Sequence, residues 1–342
     1  MRRILPMLVF LMAAGVPMSV SAGEAGPAKD VPELQVLQNY VGTWDVKVAG
    51  NELAKGEDTA HWILGGRFLE QSGFVVSENG TNRVEITTLY TFDTTKKVYR
   101  SWSFLSTGTS SQAEMTWDAR TKTMTSVTRP NADGGRSTIT ADFSESGKER
   151  WKFVFTDRDG KAVGEMSGVN TLRKGSELQP ESAQGVRELG ERSAELRILD
   201  RLLGTWRTEY RQMKAEWTPE EENGSADLVC TRELAGQVIR ERGTYSDQTT
   251  STWLLNYDAE QRKYRSWWFN SLGLTSESSG RWDESTKTLF WTTVEPSEFN
   301  TTSQHGFPDS GKCDWKVLVQ DTQGVTMFRM EGTSLRVNDP KP

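Results

Sequence analysis

The chain carries the same sequence pattern twice, and this internal repeat restricts its fold more than any other feature. The tripeptide Gly-Thr-Trp at 42–44 recurs at 204–206, and the tetrapeptide Tyr-Arg-Ser-Trp at 99–102 recurs at 264–267. Seven matches follow one another in the same order, at offsets between 162 and 170 residues. Solenoid and propeller repeats have periods of roughly 20–50 residues, so each copy here is a whole domain.

Each copy shows the pattern of short β-strands joined by hairpins. Within 98–105, Trp102 and Phe104 fall on one face of the strand and the two serines on the other. Turn residues separate the strands, as at 92–96 and 257–260. About ten strands fit in each copy, with one short helix before the first. A meander of this length is most stable when closed, because closure removes exposed edges, so we predict an all-β fold of two tandem antiparallel meander barrels.

The first 22 residues have the pattern of a secretory signal peptide. Arg2 and Arg3 form a positive start, 4–16 is mostly apolar, and Val-Ser-Ala at 20–22 supplies small residues for cleavage after Ala22. The apolar stretch is shorter than the roughly 20 residues of a membrane span. We therefore predict an exported protein, periplasmic or secreted, with no stable membrane span in the mature chain; a retained signal anchor is the alternative.

The organisation of the chain follows from the repeat and the signal peptide. Residues 175–195 are rich in Glu, Gln, Gly and Ser, which is typical of a linker. An acidic insertion at 216–223 distinguishes the second copy and is predicted to lengthen its first hairpin loop. The predicted units are a signal peptide (1–22), a disordered N-terminal segment (23–30), a first barrel domain (31–174), a linker (175–195) and a second barrel domain (196–338).

A short helix leading into Gly-x-Trp, followed by a strand meander, resembles the calycin superfamily, which includes the lipocalins. More closely, Gly-Thr-Trp at 42–44, the stretch 62–69 and the hairpin 257–267 resemble the bacterial family of domain of unknown function 1579 (DUF1579). The resemblance covers nearly the whole mature chain, twice. It implies a lipocalin-like barrel in each copy and brings no particular activity with it.

The resemblance also implies a role for four residues at the ends of the two copies. In lipocalins an Arg of the last strand lies across the Trp of the first strand and closes the base of the barrel. The matching residues are Trp44 with Arg173 in the first copy and Trp206 with Arg336 in the second. A cation over an indole face contributes roughly 0.5–2 kcal/mol, so we expect these residues to be structural.

One strand of each copy is the candidate ligand site. Alternation places one Arg, one Trp and one Phe on the same face of each strand. If that face points inward, each barrel has aromatic walls and one cationic anchor, which suits an acidic apolar ligand such as a fatty acid. The alternative is that the aromatic rings are packed core and that the Arg extends from the strand end. The candidate ligand-binding residues are Arg100, Trp102, Phe104, Arg265, Trp267 and Phe269.

The sequence lacks the residues that hydrolase triads and zinc sites need. The two histidines, His61 and His305, have no counterpart in the other copy, and this scarcity argues against hydrolase triads. No zinc-ligand spacing is present. Haem is an alternative that the resemblance to calycins brings, because the nitrobindin group holds haem through one His; His61 is the residue that could serve. We therefore predict no cofactor and no metal.

Charge argues against nucleic acid as a partner. The chain has 41 Lys and Arg against 47 Asp and Glu, a net charge of −6, and no basic run beyond its first residues. The two cysteines, Cys230 and Cys313, both lie in the second copy. Export would allow one disulfide between them, and two buried free thiols are the alternative.

These observations favour an exported, non-enzymatic protein that binds a small apolar or amphiphilic ligand in one or both barrels. One alternative is an envelope-associated interaction module with barrels that are filled by side chains. Another is a calycin-type enzyme, for which no catalytic residues can be named, so we lean against an enzyme. The sequence leaves open the identity of the ligand, the arrangement of the two domains and the oligomeric state.

Overall fold

A computed structural model describes residues 26–49, 53–77, 82–173, 192–294 and 299–337. Within these ranges the chain forms two closed antiparallel barrels of ten strands each. Every strand pairs with its neighbours in sequence, and the last strand of each copy pairs with the first. The predicted all-β fold of two tandem meander barrels is therefore confirmed. The predicted signal peptide and most of the predicted linker lie outside the described residues.

The first barrel occupies the first copy of the repeat. Its strands are β1 (Gly42–Ala49), β2 (Leu53–Ile63), β3 (Phe68–Ser77), β4 (Arg83–Asp93), β5 (Val98–Leu105), β6 (Ser110–Asp118), β7 (Thr123–Thr128), β8 (Arg136–Asp142), β9 (Lys148–Thr156) and β10 (Ala162–Leu172).

The second barrel repeats this plan strand by strand. Its strands are β11 (Gly204–Met213), β12 (Glu222–Glu233), β13 (Val238–Tyr245), β14 (Thr250–Asp258), β15 (Lys263–Asn270), β16 (Thr275–Asp283), β17 (Thr288–Thr293), β18 (Phe299–Asp309), β19 (Lys312–Asp321) and β20 (Thr326–Arg336). The acidic insertion at 216–223 occupies most of the loop between β11 and β12 and the first two residues of β12, at the hairpin where it was expected.

A short helical segment closes one end of each barrel. In the first barrel it is the 3₁₀ segment Pro32–Tyr40, and in the second it is α1 (Ala194–Ile198) continued by the 3₁₀ turn Leu199–Leu202. The indole Nε1 of Trp44 donates to the carbonyl of Tyr40 at 2.8 Å. In the second barrel Trp206 bonds the carbonyl of Leu202 in the same way, at 2.6 Å. The Gly-Thr-Trp motif thus attaches each helical segment to its first strand.

A second repeated pair of residues has a steric reason. The indole of Trp151 on β9 lies over Gly168 on β10, and a Cβ atom at Gly168 would come within 2.2 Å of that ring. Trp315 and Gly332 occupy the same positions in the second barrel, where a Cβ atom at Gly332 would come within 2.5 Å of the indole. Only glycine leaves space for the indole between the strands, so each Trp requires its Gly.

The residues just before each barrel are in contact with it. The amide of Ala28 donates to the carbonyl of Gly66 at 3.0 Å, and Asp30 forms an ion pair with Arg67 at 2.7 Å. These residues belong to the predicted disordered segment 23–30, of which 26–30 are described. Arg192, at the end of the predicted linker, is buried and donates to the carbonyl of Gly236 at 2.8 Å.

The two barrels pack against each other through the outer faces of β5 and β15. The ring of Phe104 lies 4.9 Å from that of Trp267, and the ring of Trp102 lies 5.0 Å from that of Phe269, both edge to face. These contacts are reciprocal, because each Trp meets the Phe of the other copy. The rings belong to an apolar cluster between the barrels, which we call the inter-barrel cluster.

A buried ion pair crosses the same interface. Arg240 on β13 is only 2% exposed, and its guanidinium lies 2.7 Å from Glu70 on β3 and 2.9 Å from Glu233. Burial alone raises the pKa of Glu70, but the charge and hydrogen bonds of Arg240 outweigh it and leave that pKa below its usual value. Glu70 is therefore ionised at neutral pH, and the two barrels are joined by a charged pair beside the inter-barrel cluster.

Candidate binding sites in the barrel interiors

The strand face chosen as a ligand site does not point into the barrels. Tyr99 and Tyr264, one residue before each Arg, lie in the interior cores. Because side chains alternate along a strand, the candidate residues point outward. Their four aromatic rings, at Trp102, Phe104, Trp267 and Phe269, form the centre of the inter-barrel cluster. The condition for the predicted ligand site is not met, and the aromatic faces serve to join the barrels.

The two arginines of these strands have partners outside the barrels. Arg100 lies 3.6 Å from Asp93, and Arg265 pairs with Glu277 and lies 3.8 Å from Asp258. Each guanidinium also lies near the indole two residues later, 4.8 Å from Trp102 and 5.4 Å from Trp267. Neither cation is available as an anchor for an acidic ligand inside a barrel.

The four residues assigned to the barrel bases behave differently in the two copies. The guanidinium of Arg336 lies 4.3 Å from the ring centre of Trp206 and donates to the carbonyls of Leu203, Arg201 and Ser310.

In the first barrel Arg173 instead pairs with Asp45 at 2.6 Å and with Glu57 at 2.7 Å, and no contact of its guanidinium with Trp44 is seen among the described residues. Charged neighbours on β1 and β2 thus turn Arg173 toward solvent.

The interiors of the two barrels differ in the size of their side chains, in both directions: Met115, Ile139 and Phe153 of the first barrel correspond to Gly280, Ser303 and Val317 of the second. Equivalent inward positions of the two barrels are found by strand pairing. The paired residues are followed from strand to strand, starting at Gly42 in the first barrel and at Gly204 in the second. At four equivalent positions the first barrel has a small side chain and the second an aromatic one. These pairs are Thr88 with Trp253, Ser103 with Trp268, Ser126 with Trp291, and Ala141 with His305.

Two chains of hydrogen bonds in the first barrel each end on a carboxyl group. The hydroxyl of Tyr90 donates to Gln71 Oε1 at 2.7 Å, and Gln71 Nε2 donates to Asp58 Oδ2 at 3.2 Å. All three residues are enclosed by the barrel and yet keep some accessible surface, which faces the space inside it.

The second chain runs along β9 and β10. The indole Nε1 of Trp151 donates to Asn170 Oδ1 at 2.9 Å, and Asn170 Nδ2 donates to Glu149 Oε2 at 2.7 Å. Glu149 is buried. Strands β2, β1, β10 and β9 are consecutive neighbours in the barrel wall, so Asp58 and Glu149 face the same part of the interior.

Burial shifts the titration of both carboxyl groups. It raises the pKa of Asp58 to about 6, against the hydrogen bond from Gln71. Burial, together with the charge of Asp58, raises the pKa of Glu149 to about 8. Strongly shifted carboxyl groups in an enclosed space mark a candidate functional site. Sequence reasoning missed both residues, since an acidic residue in a strand normally faces solvent.

The second barrel encloses two thiols and another carboxyl group. Cys230 and Cys313 are free and buried, which corresponds to the second of the two alternatives left open by the sequence. The Sγ of Cys230 donates to Glu241 Oε2 at 3.4 Å. Burial raises the pKa of both thiols well above the usual value and that of Glu241 to about 7. Both cysteines are therefore protonated at neutral pH and unreactive.

The two histidines lie in different surroundings. His61 is exposed on the outer face of β2, opposite Glu70, and does not face the barrel interior where a haem would lie. His305 faces the interior of the second barrel, with its ring centre 5.0 Å from that of Trp253. Burial lowers the pKa of His305 to about 4, so the ring is neutral at pH 7.

The loop made by the acidic insertion folds onto its own barrel. Strands β11 and β12 leave 214–221 as a loop at the end of the barrel opposite the helical segment. The amide of Trp217 donates to the carbonyl of Met327 at 2.9 Å, and its ring lies 4.7 Å from that of Phe299. Phe299 lies on the same face of β18 as His305, so this contact lies at the rim of the barrel interior.

A cavity of about 340 Å³ lies at the helical end of the second barrel, outside its interior. Arg197, Arg201 and Arg336 contribute to its walls, with Asp200 and Asp309 beside them. The guanidinium of Arg336 already donates to three backbone carbonyls. We therefore regard this cavity as part of the closed end of the barrel.

The fold and the enclosed polar groups define a protein of two tandem, ten-stranded meander barrels with separate interiors. Residues 191–332, which hold all but the last four strand residues of the second barrel, match the family model described as protein of unknown function (DUF1579). The predicted resemblance to DUF1579 is thereby confirmed for the second copy. No curated protein matches the sequence.

Two of the solved structures that are similar to this chain have low sequence identity to it. One, from the DUF3598 family of Nostoc punctiforme, is 12% identical, covers 89% of this chain and 98% of its own, and has a TM-score of 0.28. Another, the S-type phycobiliprotein lyase CPES from Guillardia theta, is 12% identical, covers 44% of this chain and 96% of its own, and has a TM-score of 0.32.

Two further observations concern only the described ranges. No helix there has the length and apolar character needed to cross a membrane. No group of three or more His, Cys, Asp and Glu side chains there has the arrangement of a metal site.

Proposed function

We propose that the protein is an exported, non-enzymatic binding protein that holds a small amphiphilic molecule inside its first barrel. One observation carries this proposal. Where the second barrel has three indoles and an imidazole, the first has Thr88, Ser103, Ser126 and Ala141, beside the carboxyl groups of Asp58 and Glu149. Small side chains leave space, and convergent polar groups orient a ligand within it.

The surrounding residues indicate the chemistry of this ligand. Tyr40, Met115 and Met124 form an apolar wall near the helical segment, suited to a hydrocarbon part. The polar part would meet Asp58 and Glu149, which accept hydrogen bonds when ionised and repel an anion. The ligand is therefore neutral or basic at its polar end, in contrast to the fatty acid that the outward-facing arginines had suggested.

Export is part of the proposal and is supported by the charged start, apolar stretch and small residues of 1–22. An interaction module with filled barrels receives less support. The insertion that was its candidate contact surface places Trp217 against its own barrel.

The proposal is tested with three amphiphiles that share one alkyl chain: dodecylamine, dodecanol and dodecanoate. Isothermal titration calorimetry on the mature protein should give the tightest binding for the amine and the weakest for the carboxylate. Ser126→Trp introduces the indole that the second barrel has at this position and should weaken binding of the amine by about tenfold or more, because it fills the space.

The control is Val127→Trp, which places the same indole on the outer face of β7, where Val127 is exposed. This variant should bind the amine like the unaltered protein. Circular dichroism and thermal unfolding establish that both variants are folded. Equal affinity of the two variants for dodecylamine, or tightest binding of dodecanoate, would contradict the proposal.

A further inference from the structure

We infer that the second barrel has a binding site of its own, for a small, planar, neutral molecule with an acceptor oxygen, formed by Trp291, His305 and Trp253. The inference extends the proposed function to the other barrel. It is carried by residues of the second barrel alone.

On the inward-facing side chains of this barrel, two buried polar atoms have no hydrogen-bond partner within the described part of the chain. They are the indole Nε1 of Trp291 on β17 and the imidazole Nδ1 of His305 on β18. Native proteins leave few buried polar groups in this state, and each one calls for a partner such as a ligand or a trapped water molecule. Both atoms belong to side chains that face the barrel interior.

The two unpaired atoms belong to one cluster of rings. The ring centre of Trp253 lies 5.6 Å from that of Trp291 and 5.0 Å from that of His305. Strand pairing places Trp291 opposite Ser303, two residues from His305, so the two side chains are diagonal neighbours on adjacent strands. A single small molecule can therefore reach both atoms.

The chemistry of the two atoms limits what can bind. An indole N–H is only a donor, so the ligand must bring an acceptor. Neutral His305 can donate or accept through Nδ1, depending on its tautomer, and so it can share the same oxygen. His305 also keeps some accessible surface although it is enclosed by the barrel.

The side chains packed around Trp291 and His305 are mostly aromatic. Trp253, Trp291 and Tyr264 belong to the core cluster of the barrel, and Trp268 packs against it. Aromatic walls favour a flat ring that can stack or meet them edge to face. A fully charged ligand would lose its hydration without gaining an ion pair from Trp291 or neutral His305. A ketone or a similar carbonyl compound on an aromatic ring fits these conditions.

The test uses two probes of nearly equal shape, methyl naphthyl ketone and ethylnaphthalene, substituted at the same ring carbon. Only the ketone has an oxygen. Binding is measured by equilibrium dialysis with the full mature chain carrying Ser126→Trp, whose first barrel is filled, so that the second barrel is observed. We expect the ketone to bind about three- to tenfold more tightly than the hydrocarbon.

The variant Trp291→Phe removes the N–H and keeps an aromatic ring. It should abolish the preference for the ketone and leave the affinity for ethylnaphthalene nearly unchanged. The matched control is Trp282→Phe, because the indole N–H of Trp282 already donates to Glu284 at 2.7 Å. This control should leave both affinities unchanged.

Two outcomes would overturn the inference. Equal binding of the two probes would mean that water satisfies the Trp291 N–H, and no binding of either probe would mean that the barrel is filled. The proposed function is tested separately: it fails when Ser126→Trp and Val127→Trp bind dodecylamine with equal affinity. If Ser126→Trp does not fold, the comparison of Trp291→Phe with the unaltered protein gives the same answer.

Discussion

The first and second barrels share their framework and differ in their interiors. Both have a helical segment bonded to the Trp of the first strand, a Trp packed over a Gly near the last strand, and an Arg-Ser-Trp strand that meets the other barrel. Inside, the first barrel has two carboxyl groups beside small side chains, and the second has one carboxyl group with indoles, thiols and a neutral imidazole.

This difference shows how to interpret an internal repeat. The residues that recur between the copies are explained by closing each barrel, by its turns and by joining the two barrels. The residues that do not recur, such as Ser126 against Trp291 and Ala141 against His305, lie on inward-facing positions. In this molecule the shared motif marks the framework, and the candidate sites lie where the copies differ.

The largest expected effect tests whether the shared strand face is structural. Phe269 is fully buried between the barrels and contacts Phe68 and Trp102. Phe269→Ala should lower the free energy of unfolding by about 3–5 kcal/mol, because it leaves a cavity in the inter-barrel cluster. Urea unfolding measures this, and Phe155→Ala at a partly exposed position is the control, with a loss below about 1 kcal/mol. A small loss at Phe269 would mean that the barrels do not depend on this contact.

The next effect concerns the ion pair between the barrels. Glu70→Gln leaves Arg240 buried with Glu233 as its remaining carboxylate. The free energy of unfolding should fall by about 2–4 kcal/mol, because a buried charge loses part of its compensation. Asp227→Asn, which disturbs the exposed pair of Asp227 with Arg207, should change it by less than about 1 kcal/mol in the same urea titration. Similar losses in the two variants would contradict a buried, interface-forming role for Glu70.

A pH experiment separates the interiors of the two barrels. The folded protein holds the proton of Glu149 up to a pKa of about 8, whereas the ordinary value is 4.5. Because the folded state binds the proton more tightly, the stability that this group contributes is greatest below the ordinary pKa and falls as the pH rises toward 8.

The loss should be roughly 2–3 kcal/mol, and Glu149→Gln, which mimics the protonated group, should remove that part of the loss. Thermal unfolding between about pH 5 and pH 9 measures this. Glu241→Gln in the second barrel should remove a smaller part of the loss of stability at high pH, since the pKa of Glu241 is raised only to about 7. Unchanged pH profiles in both variants would argue against enclosed carboxyl groups.

The smallest effect compares the two basal arginines. Arg336→Met loses a cation over Trp206 and hydrogen bonds to three carbonyls, and should cost about 1–2 kcal/mol of unfolding free energy. Arg173→Met loses ion pairs that are partly exposed, and should cost less than about 1 kcal/mol. Thermal unfolding of both variants measures the difference, and equal costs would mean that the two bases are equivalent.

The fold could be predicted from the sequence, but the candidate site could not. Alternation and turn residues identify strands, and ten hairpin-linked strands favour closure. Alternation also separates the two faces of β5 and β15, but both faces are buried, one in the barrel and one between the barrels. Aromatic residues on the outer face therefore look like a pocket wall, and the inward serines at 101 and 103 look like surface.

The enclosed carboxyl groups were hidden by a related effect. Asp58 and Glu149 lie 91 positions apart in the sequence, and they face the same part of the interior only because β10 closes on β1. Closure is a long-range property that local patterns do not contain. Listing polar residues at inward positions, once the strand register was known, would have found both of them and His305.

The reciprocal packing of the two copies has a consequence for how the tandem chain is assembled. Besides the exchanged Trp and Phe contacts, Arg67 of the first copy lies against Gly273, and Gln237, its equivalent, lies against Gly108. Such exchange is the mark of a twofold axis, as in a symmetric dimer. Here the two subunits are covalently linked, so pairing depends on an effective local concentration and not on the amount of protein. Dilution therefore cannot separate the two barrels, although their interiors differ.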